Sequence, residues 1–231
     1  MRLLFVASDP MEYTGILARS SDPRPARLAV EWARSARLGR HDVLLVANGA
    51  GPVRAGAAVE TARCFFQPDA VMSTGFCGAL GAELGIADVV VGTSVSGDAG
   101  CYPLRAAASG APHRTGTICS IGHVAQTAAE KARLHASGAI AVEMEAAGVA
   151  AAAEAFELPV YCVRAVTDLA GEDMANDFNK ALRPDGHFDT IRILRSALRH
   201  PWVRVPELMR LRQRCVRAAR VLGDFIADCR F

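Results

Sequence analysis

Short, continuous apolar runs alternate with alanine-rich segments along most of this chain, and that alternation restricts its fold more than any other property. LLFVAS (3–8) leads into a polar turn and then ARLAVEWARSA (26–36), which reads as helical. DVLLVAN (42–48) leads through GAGP into the helical VRAGAAVETARCFF (53–66), and AVMSTG (70–75) and ADVVVGTSV (87–95) follow. GAIAVEM (138–144) enters AAGVAAAAEAF (146–156), and PVYCVRAVTD (159–168) precedes a final helical region. Strands apolar on both faces belong to a sheet covered on both sides, and strands alternating with helices specify an α/β architecture. The expectation is a single domain with a central mixed sheet flanked by helices on both faces. Functional residues then belong at strand ends, where loops meet the sheet edge. The segment 97–116 reads as loop.

A chain of 231 residues can enclose a proper core as one domain. Its formal charge of +2 marks no nucleic-acid binder. LLFVA at 3–7 is too short for a secretory h-region and has no cleavage pattern behind it. No apolar run approaches the roughly 20 residues that span a bilayer, so a cytoplasmic location is expected. The seven cysteines are odd in number and scattered, with no CxxC and no histidine pair at zinc-ligand spacing. They read as reduced, packed thiols, Cys77 included, and no metal site is expected.

Arginines are dense from Ile191 to Phe231, and this extension, about 190–231, differs in character from the rest. Pro201 and Pro206 break the segment, after which Leu208, Leu211, Cys215, Ala219, Leu222 and Ile226 recur at helical spacing. Two readings stand: a helix docked on the core with a solvated basic face, or a peripheral contact with an anionic membrane surface or acidic partner. The segment has no aromatic interleaving of the kind nucleic-acid modules carry.

Three carboxylates concentrate the chemistry. Glu143 and Glu145 stand at the mouth of the alanine-rich helix in VEMEAAGVA (142–150), and Asp168 ends an apolar run in RAVTDLAG (164–171). Either glutamate alone is explained as a helix cap or dipole partner, and Asp168 alone as an N-cap. Together they supply what cleavage of a nucleoside needs: an ionised carboxylate to accept two hydrogen bonds from a sugar diol, and an acid to protonate the leaving base.

These two segments, with NGAGPVRAG (48–56) and STGFCGALGAELGIADVVVG (73–92), resemble in order the signatures of the purine nucleoside phosphorylase and 5′-methylthioadenosine/S-adenosylhomocysteine nucleosidase superfamily. The resemblance runs from the first strand to about residue 180 and implies a nucleoside phosphorylase-like fold. It implies that Glu145 holds the ribose hydroxyls, that Met144 lines the sugar, that Glu143 supports the site and that Asp168 protonates the purine. Arg164 would organise the carboxylates, and Thr167 stands where the family commonly has serine. Glu12 falls at the position resembling the glutamate with which the hydrolytic members activate water. Phe178 matches an aromatic near the nucleoside, a residue that core packing explains equally well.

The departures concern phosphate. Phosphorylase members place an arginine before the TG-type turn and a serine after its glycine, where this chain has Ser73 and Phe76, both expected to contact the substrate. Without that arginine a dianion lacks its bidentate partner, although Gly49, Gly51 and neighbouring amides remain a candidate anion loop, and Arg54 a candidate cation. Hydrolysis is therefore favoured over phosphorolysis.

GFCGAL, DFNKAL (177–182) and the basic extension are similar to the hopanoid-associated branch, whose proposed substrate is adenosylhopane. The expected reaction is release of adenine from a 5′-substituted adenosine without metal or redox cofactor. A soluble 5′-methylthioadenosine/S-adenosylhomocysteine nucleosidase, a true phosphorylase and a non-catalytic nucleoside-binding module remain the alternatives. The resemblance also implies a homo-oligomer. A lipid-linked nucleoside would place the protein against the inner face of the membrane.

Overall fold

The computed structural model describes all 231 residues. In chain order the strands are β1 (Arg2–Ala7), β2 (Ser21–Pro25), β3 (Trp32–Leu38), β4 (His41–Ala47), β5 (Ala70–Ala79), β6 (Val89–Gly97), β7 (Gly100–Pro103), β8 (Arg114–Ser120), β9 (Ala139–Glu143) and β10 (Val160–Asp168). The helices are α1 (Thr14–Ala18), α2 (Pro52–Phe66), α3 (Ala128–His135), α4 (Ala146–Glu154), α5 (Phe178–Ala181), α6 (Thr190–Ala197) and α7 (Pro201–Asp228), with a 3-10 turn over Pro10–Tyr13.

The longest apolar runs form the centre of one mixed sheet. β1 pairs in parallel with β4 and β5, and β5 with β10, so Leu4 is flanked by Leu44 and Val71. β10 also pairs with β6, which continues through β8 and β9 back to β5. Five strands thereby close into a barrel-like ring, and β1, β4, β3 and β2 extend from it as an open sheet. One face is covered by α2 and α4 through Ala55, Ala58, Val59, Val149 and Ala150. The other is covered by α1 and α7 through Ile16, Leu222, Phe225 and Ile226. Leu44 is fully buried, and truncating it to alanine would cost about 2–5 kcal/mol in lost contacts and cavity.

Two close helix approaches fix the geometry of the site. A side chain on Gly148 of α4 would meet the Pro52 carbonyl oxygen at 1.9 Å, so α2 and α4 touch backbone to backbone. A side chain on Gly15 of α1 would meet the Ala219 carbonyl oxygen at 2.0 Å, and Gly223 is equally close to Gly15. The first contact sets the glycine turn before α2 against the start of α4. The second ties the N-terminal turn to α7.

The sheet is mixed and lies between helical layers, as the alternation of runs suggests, but three local readings need correction. The stretch 26–36 is not helical: β3 pairs antiparallel with β4 through a tight turn at Gly39, whose φ is +56°. There the helix propensity of its alanines and arginines yields to strand pairing that buries Ala33, Ala36 and Leu38. The stretch 97–116 is only partly loop, because β7 folds back on β6 and β8 starts at Arg114. Pro201 does mark a break, since α6 ends at Ala197 and α7 starts at Pro201, but Pro206 does not. Pro201 sits at the start of α7, where no amide is required, and Pro206 is accommodated within the helix. No helix is long and apolar enough to cross a membrane.

Candidate active site

Arg164, in the middle of β10, is fully buried, and its guanidinium is surrounded by acceptors. Its Nη2 donates to Glu143 and, at 2.6 Å, to Ser73 Oγ; its Nη1 donates to Glu145 Oε2 at 3.3 Å. Burial opposes a charged guanidinium, yet Glu143, the Cys162 side chain, Glu145 and Glu12 together raise its pKa, so it is the fixed positive charge of the site. Ser73 is accordingly enclosed behind the arginine and is absent from the cleft lining, which corrects the substrate contact expected of it.

Glu143 and Glu145 divide the work at the mouth of α4. Glu143 caps the helix: its carboxylate accepts from the Glu145 amide at 2.9 Å and from the Ala146 amide at 2.8 Å. Glu145 occupies the N-cap position, but its side chain makes no capping bond. Its two protein contacts are long, 3.3 Å each, to the Gly51 amide and Arg164. Both therefore leave lone pairs for a ligand diol. Burial pushes the Glu145 carboxyl up to about 8 against the pull of Arg164, with the Glu143 and Glu12 charges adding to the rise.

The glycine turn offers no anion cradle. The Gly49 amide donates to the Ser8 carbonyl at 3.0 Å, the Ala50 amide to Gly186 at 2.8 Å and the Gly51 amide to Glu145. Arg54 is turned onto Glu31 and the Asn48 carbonyl at 3.1 and 3.2 Å. The anion-loop role read for Gly49 and Gly51 is thus replaced by an internal one, since these amides already have partners.

Glu12 closes the 3-10 turn in a capping box with Asp9. Its Oε2 accepts from the Ser8 amide and hydroxyl, both at 2.9 Å, and from the Asp9 amide at 3.0 Å. Its Oε1 accepts from the Phe76 amide at 2.8 Å. Pro10 is part of this turn and compatible with it, since it enters at a position needing no donor. A side chain at Gly75, where φ is +134°, would lie 2.2 Å from Glu12 Oε1 and 3.0 Å from Arg164 Nη1. Only glycine lets these two charged groups approach the strand. Burial raises the Glu12 carboxyl, while Arg164 and the amides at Asp9 and Phe76 oppose the rise.

Asp168 ends β10 with its side chain at the edge of the same cleft. Its Oδ2 accepts from Lys131 Nζ at 2.5 Å, and the fully buried lysine also donates to the Leu169 carbonyl at 2.8 Å. Thr167 Oγ1 lies 3.2 Å from Asp168 Oδ1 and 3.4 Å from the Cys77 carbonyl, with one proton to donate to either. A side chain at Gly78 would lie 2.7 Å from Asp168 Oδ2. Sequence reasoning missed Lys131: it falls in the polar run TAAEKARLH, where nothing distinguishes it from a solvated lysine.

These groups share one cleft of about 360 Å³. Glu12, Glu143, Glu145, Thr167 and Asp168 give its polar wall, with Met144, Phe76 and Phe178 beside them. Phe178 meets Phe188 edge to face at 6.1 Å. The remaining wall is mostly apolar and includes Phe188, Ile193 of α6, and Leu211 and Cys215 of α7, none of them assigned to the site from sequence, together with Ser8, Asp9 and His123. Cys77 and Cys215 also line it, but burial holds both thiols above their ordinary range, so neither is an activated nucleophile. A larger cleft of about 470 Å³ lies between α5 and α6, away from all three motif carboxylates.

Comparison with known proteins places the fold. The family model described as the phosphorylase superfamily matches residues 32–106 and 101–198. A 5′-methylthioadenosine/S-adenosylhomocysteine nucleosidase of Chromohalobacter salexigens is 28% identical over 162 residues, covering 57% of this chain and 69% of that protein. The fold is similar to that of the Helicobacter pylori 5′-methylthioadenosine/S-adenosylhomocysteine nucleosidase, with a TM-score of 0.74, 17% identity, and 98% and 96% of the two chains covered. A futalosine hydrolase mutant of the same organism gives a TM-score of 0.74 at 16% identity, also covering 98% and 96%.

Proposed function

The chain belongs to the phosphorylase superfamily, and from that premise we propose that it hydrolyses the N-glycosidic bond of a 5′-substituted adenosine, releasing adenine. One observation carries the reading: Glu145, Asp168 and Glu12 line a single cleft, while the amides of the glycine turn and Arg54 are engaged within the protein. The relatives named above are nucleosidases and a hydrolase, which supports water as the nucleophile.

In this reading Glu145 accepts hydrogen bonds from the ribose 2′- and 3′-hydroxyls, and Met144 lies against the sugar. As the bond from the anomeric carbon to the base nitrogen breaks, its electron pair moves into the purine and positive charge develops on the ribose. Asp168 delivers a proton to the purine, which relieves the negative charge there. Glu12, held by four hydrogen bonds, orients the water that adds to the anomeric carbon and takes its proton. Glu143 and Arg164 keep Glu145 in place.

The 5′ substituent is large and apolar in this proposal, with adenosylhopane the preferred candidate. Support comes from Phe188, Ile193 and Leu211, which give part of the cleft wall an apolar surface, although Ser8, Asp9 and His123 line the cleft as well. The whole chain then acts as one nucleoside phosphorylase-like domain with an arginine-rich extension, working as a homo-oligomer against the inner face of a membrane.

The test is adenine release from 5′-methylthioadenosine, adenosine and a long-alkyl 5′-adenosine, each with and without phosphate. Release from the alkyl compound without phosphate is expected. Preference for the small thioether would indicate a 5′-methylthioadenosine/S-adenosylhomocysteine nucleosidase, and strict phosphate dependence a phosphorylase.

A further inference from the structure

α6 presents two different apolar faces. Ile193 and Ala197 turn inward, with Ile193 on the wall of the candidate active-site cleft. On the outer side Ile191, Leu194 and Leu198 are 64, 53 and 71% exposed, and Trp202, in the first turn of α7, is 92% exposed. Isolated exposed apolar residues are ordinary, but three large ones at helical spacing along α6, with an exposed tryptophan just beyond them, are not.

Cations flank the row. Arg192, Arg195 and Arg199 recur on an adjacent face of α6 and, with Lys180, line the cleft of about 470 Å³ beside it. The two acids there are already engaged: Asp177 pairs with Lys180 at 2.7 Å, and Asp189 accepts from the Arg192 amide at 2.9 Å. None of the three arginines has an acidic partner within ion-pairing distance, and all are exposed.

We propose that α6 and the first turn of α7 form a docking surface for an anionic lipid bilayer. Ile191, Leu194, Leu198 and Trp202 enter the boundary between headgroups and acyl chains, and the arginine row meets the lipid phosphates. An interfacial helix needs an apolar stripe beside a cationic one, with an aromatic side chain at headgroup depth. A second copy of the chain is a poorer occupant. A twofold contact through this patch would set the same unpaired arginine row against itself. Most of α7 is docked on the core through Cys215, Ala218, Ala219, Leu222 and Ile226, with Arg210, Arg212, Arg217 and Arg220 exposed, so the apolar row needed for docking is found on α6 and the first turn of α7.

The surface stands on its own chemistry; its use rests on the function proposed above. Docking through α6 would set the apolar wall of the active-site cleft, including Ile193, next to the bilayer. A nucleoside with its 5′ chain in the lipid could then enter without leaving the membrane.

Sedimentation of the full-length protein with vesicles tests the proposal without reference to turnover. Vesicles of phosphatidylcholine with phosphatidylglycerol should carry the protein down in 0.1 M salt, and phosphatidylcholine alone should carry much less. Leu194→Glu, Leu198→Glu and Trp202→Glu combined should weaken partitioning by about tenfold or more, and Arg192→Gln, Arg195→Gln and Arg199→Gln combined by about 10²-fold on the anionic vesicles. Both variants should keep their far-ultraviolet circular dichroism, since every altered residue is exposed. Absence of sedimentation with either vesicle overturns the proposal, as does equal binding by wild type and both variants. A soluble oligomer that dissociates in the glutamate variant, while the wild type ignores vesicles, would make the patch a self-contact and also overturn it. Anionic-vesicle binding without adenine release from any nucleoside would sustain the surface and reject the enzymatic reading.

Discussion

Lys131 Nζ and Asp168 Oδ2 lie 2.5 Å apart, with the lysine fully enclosed, so the acid at the edge of the cleft is one half of a buried ion pair. After Asp168 has passed a proton to the leaving base it is a carboxylate, and the ion pair with the Lys131 ammonium corresponds to that state. Lys131→Met should therefore lower turnover and also destabilise the fold by about 3–5 kcal/mol, because one buried charge is left alone. Adding Asp168→Asn to Lys131→Met should restore part of that stability. Denaturant titration of the two single variants and the pair checks this; strictly additive losses would show that the residues are not coupled.

Asp168→Asn alone keeps the shape of the side chain but removes the transferable proton. It should reduce kcat by about 10²-fold or more and, because the enclosed Lys131 ammonium loses its counter-ion, lower stability as well. Single-turnover adenine release, read beside the circular dichroism spectrum, distinguishes loss of the acid from loss of structure. Near-normal turnover would remove Asp168 from the proposed role.

Glu145 gives the reaction a pH signature of known sign. Burial pushes its carboxyl up to about 8 in the unliganded protein, and a diol acceptor must be ionised, so this group makes kcat/KM climb as pH rises towards about 8. Glu145→Gln should weaken substrate capture and remove that limb. Stability runs the opposite way. The folded chain keeps a proton that the unfolded chain releases near 4.5, so this contribution is present below pH 4.5 and is lost as pH rises through about 8. The thermal midpoint of Glu145→Gln should therefore fall less steeply across that window than that of the wild type.

Gly75→Ala combines a φ of +134° with a contact of 2.2 Å to Glu12 Oε1. It should displace the Glu12 carboxylate and lower kcat sharply. Gly39→Ala is the control: its φ is +56° and nothing lies within 4 Å of the added carbon, so only about 1–2 kcal/mol of backbone strain is expected, with activity retained. Comparable losses of activity in both variants would argue against a special place for Gly75.

The sequence made the carboxylates visible because their chemistry restricts residue type and spacing. Glu143, Glu145 and Asp168 cannot be replaced by merely apolar or merely polar residues in any account of a bound diol and a protonated base. What it could not show was which glutamate would cap α4, since both sit within reach of the helix start. Only the backbone placement gives the amides to Glu143 and leaves Glu145 to the cleft. Lys131 was hidden for a different reason: α3 is polar in composition, and the lysine is buried by what packs over it rather than by its own helix's pattern. Ser73 was misread because its partner, Arg164, lies across a strand pair and far along the chain. The 26–36 stretch failed because a two-strand pairing at the sheet edge outweighed the helix propensity of its residues.

The contact between Gly15 and Gly223 also sets an order of events. Glu12 rides on the turn just before α1, and α1 is seated by α7, which follows every other element in the chain. During synthesis the ribosome therefore releases the helix that seats the N-terminal turn long after the turn itself. A nascent chain stalled before α7 would lack the helix that seats this turn, so the candidate cleft is complete only once translation has passed it.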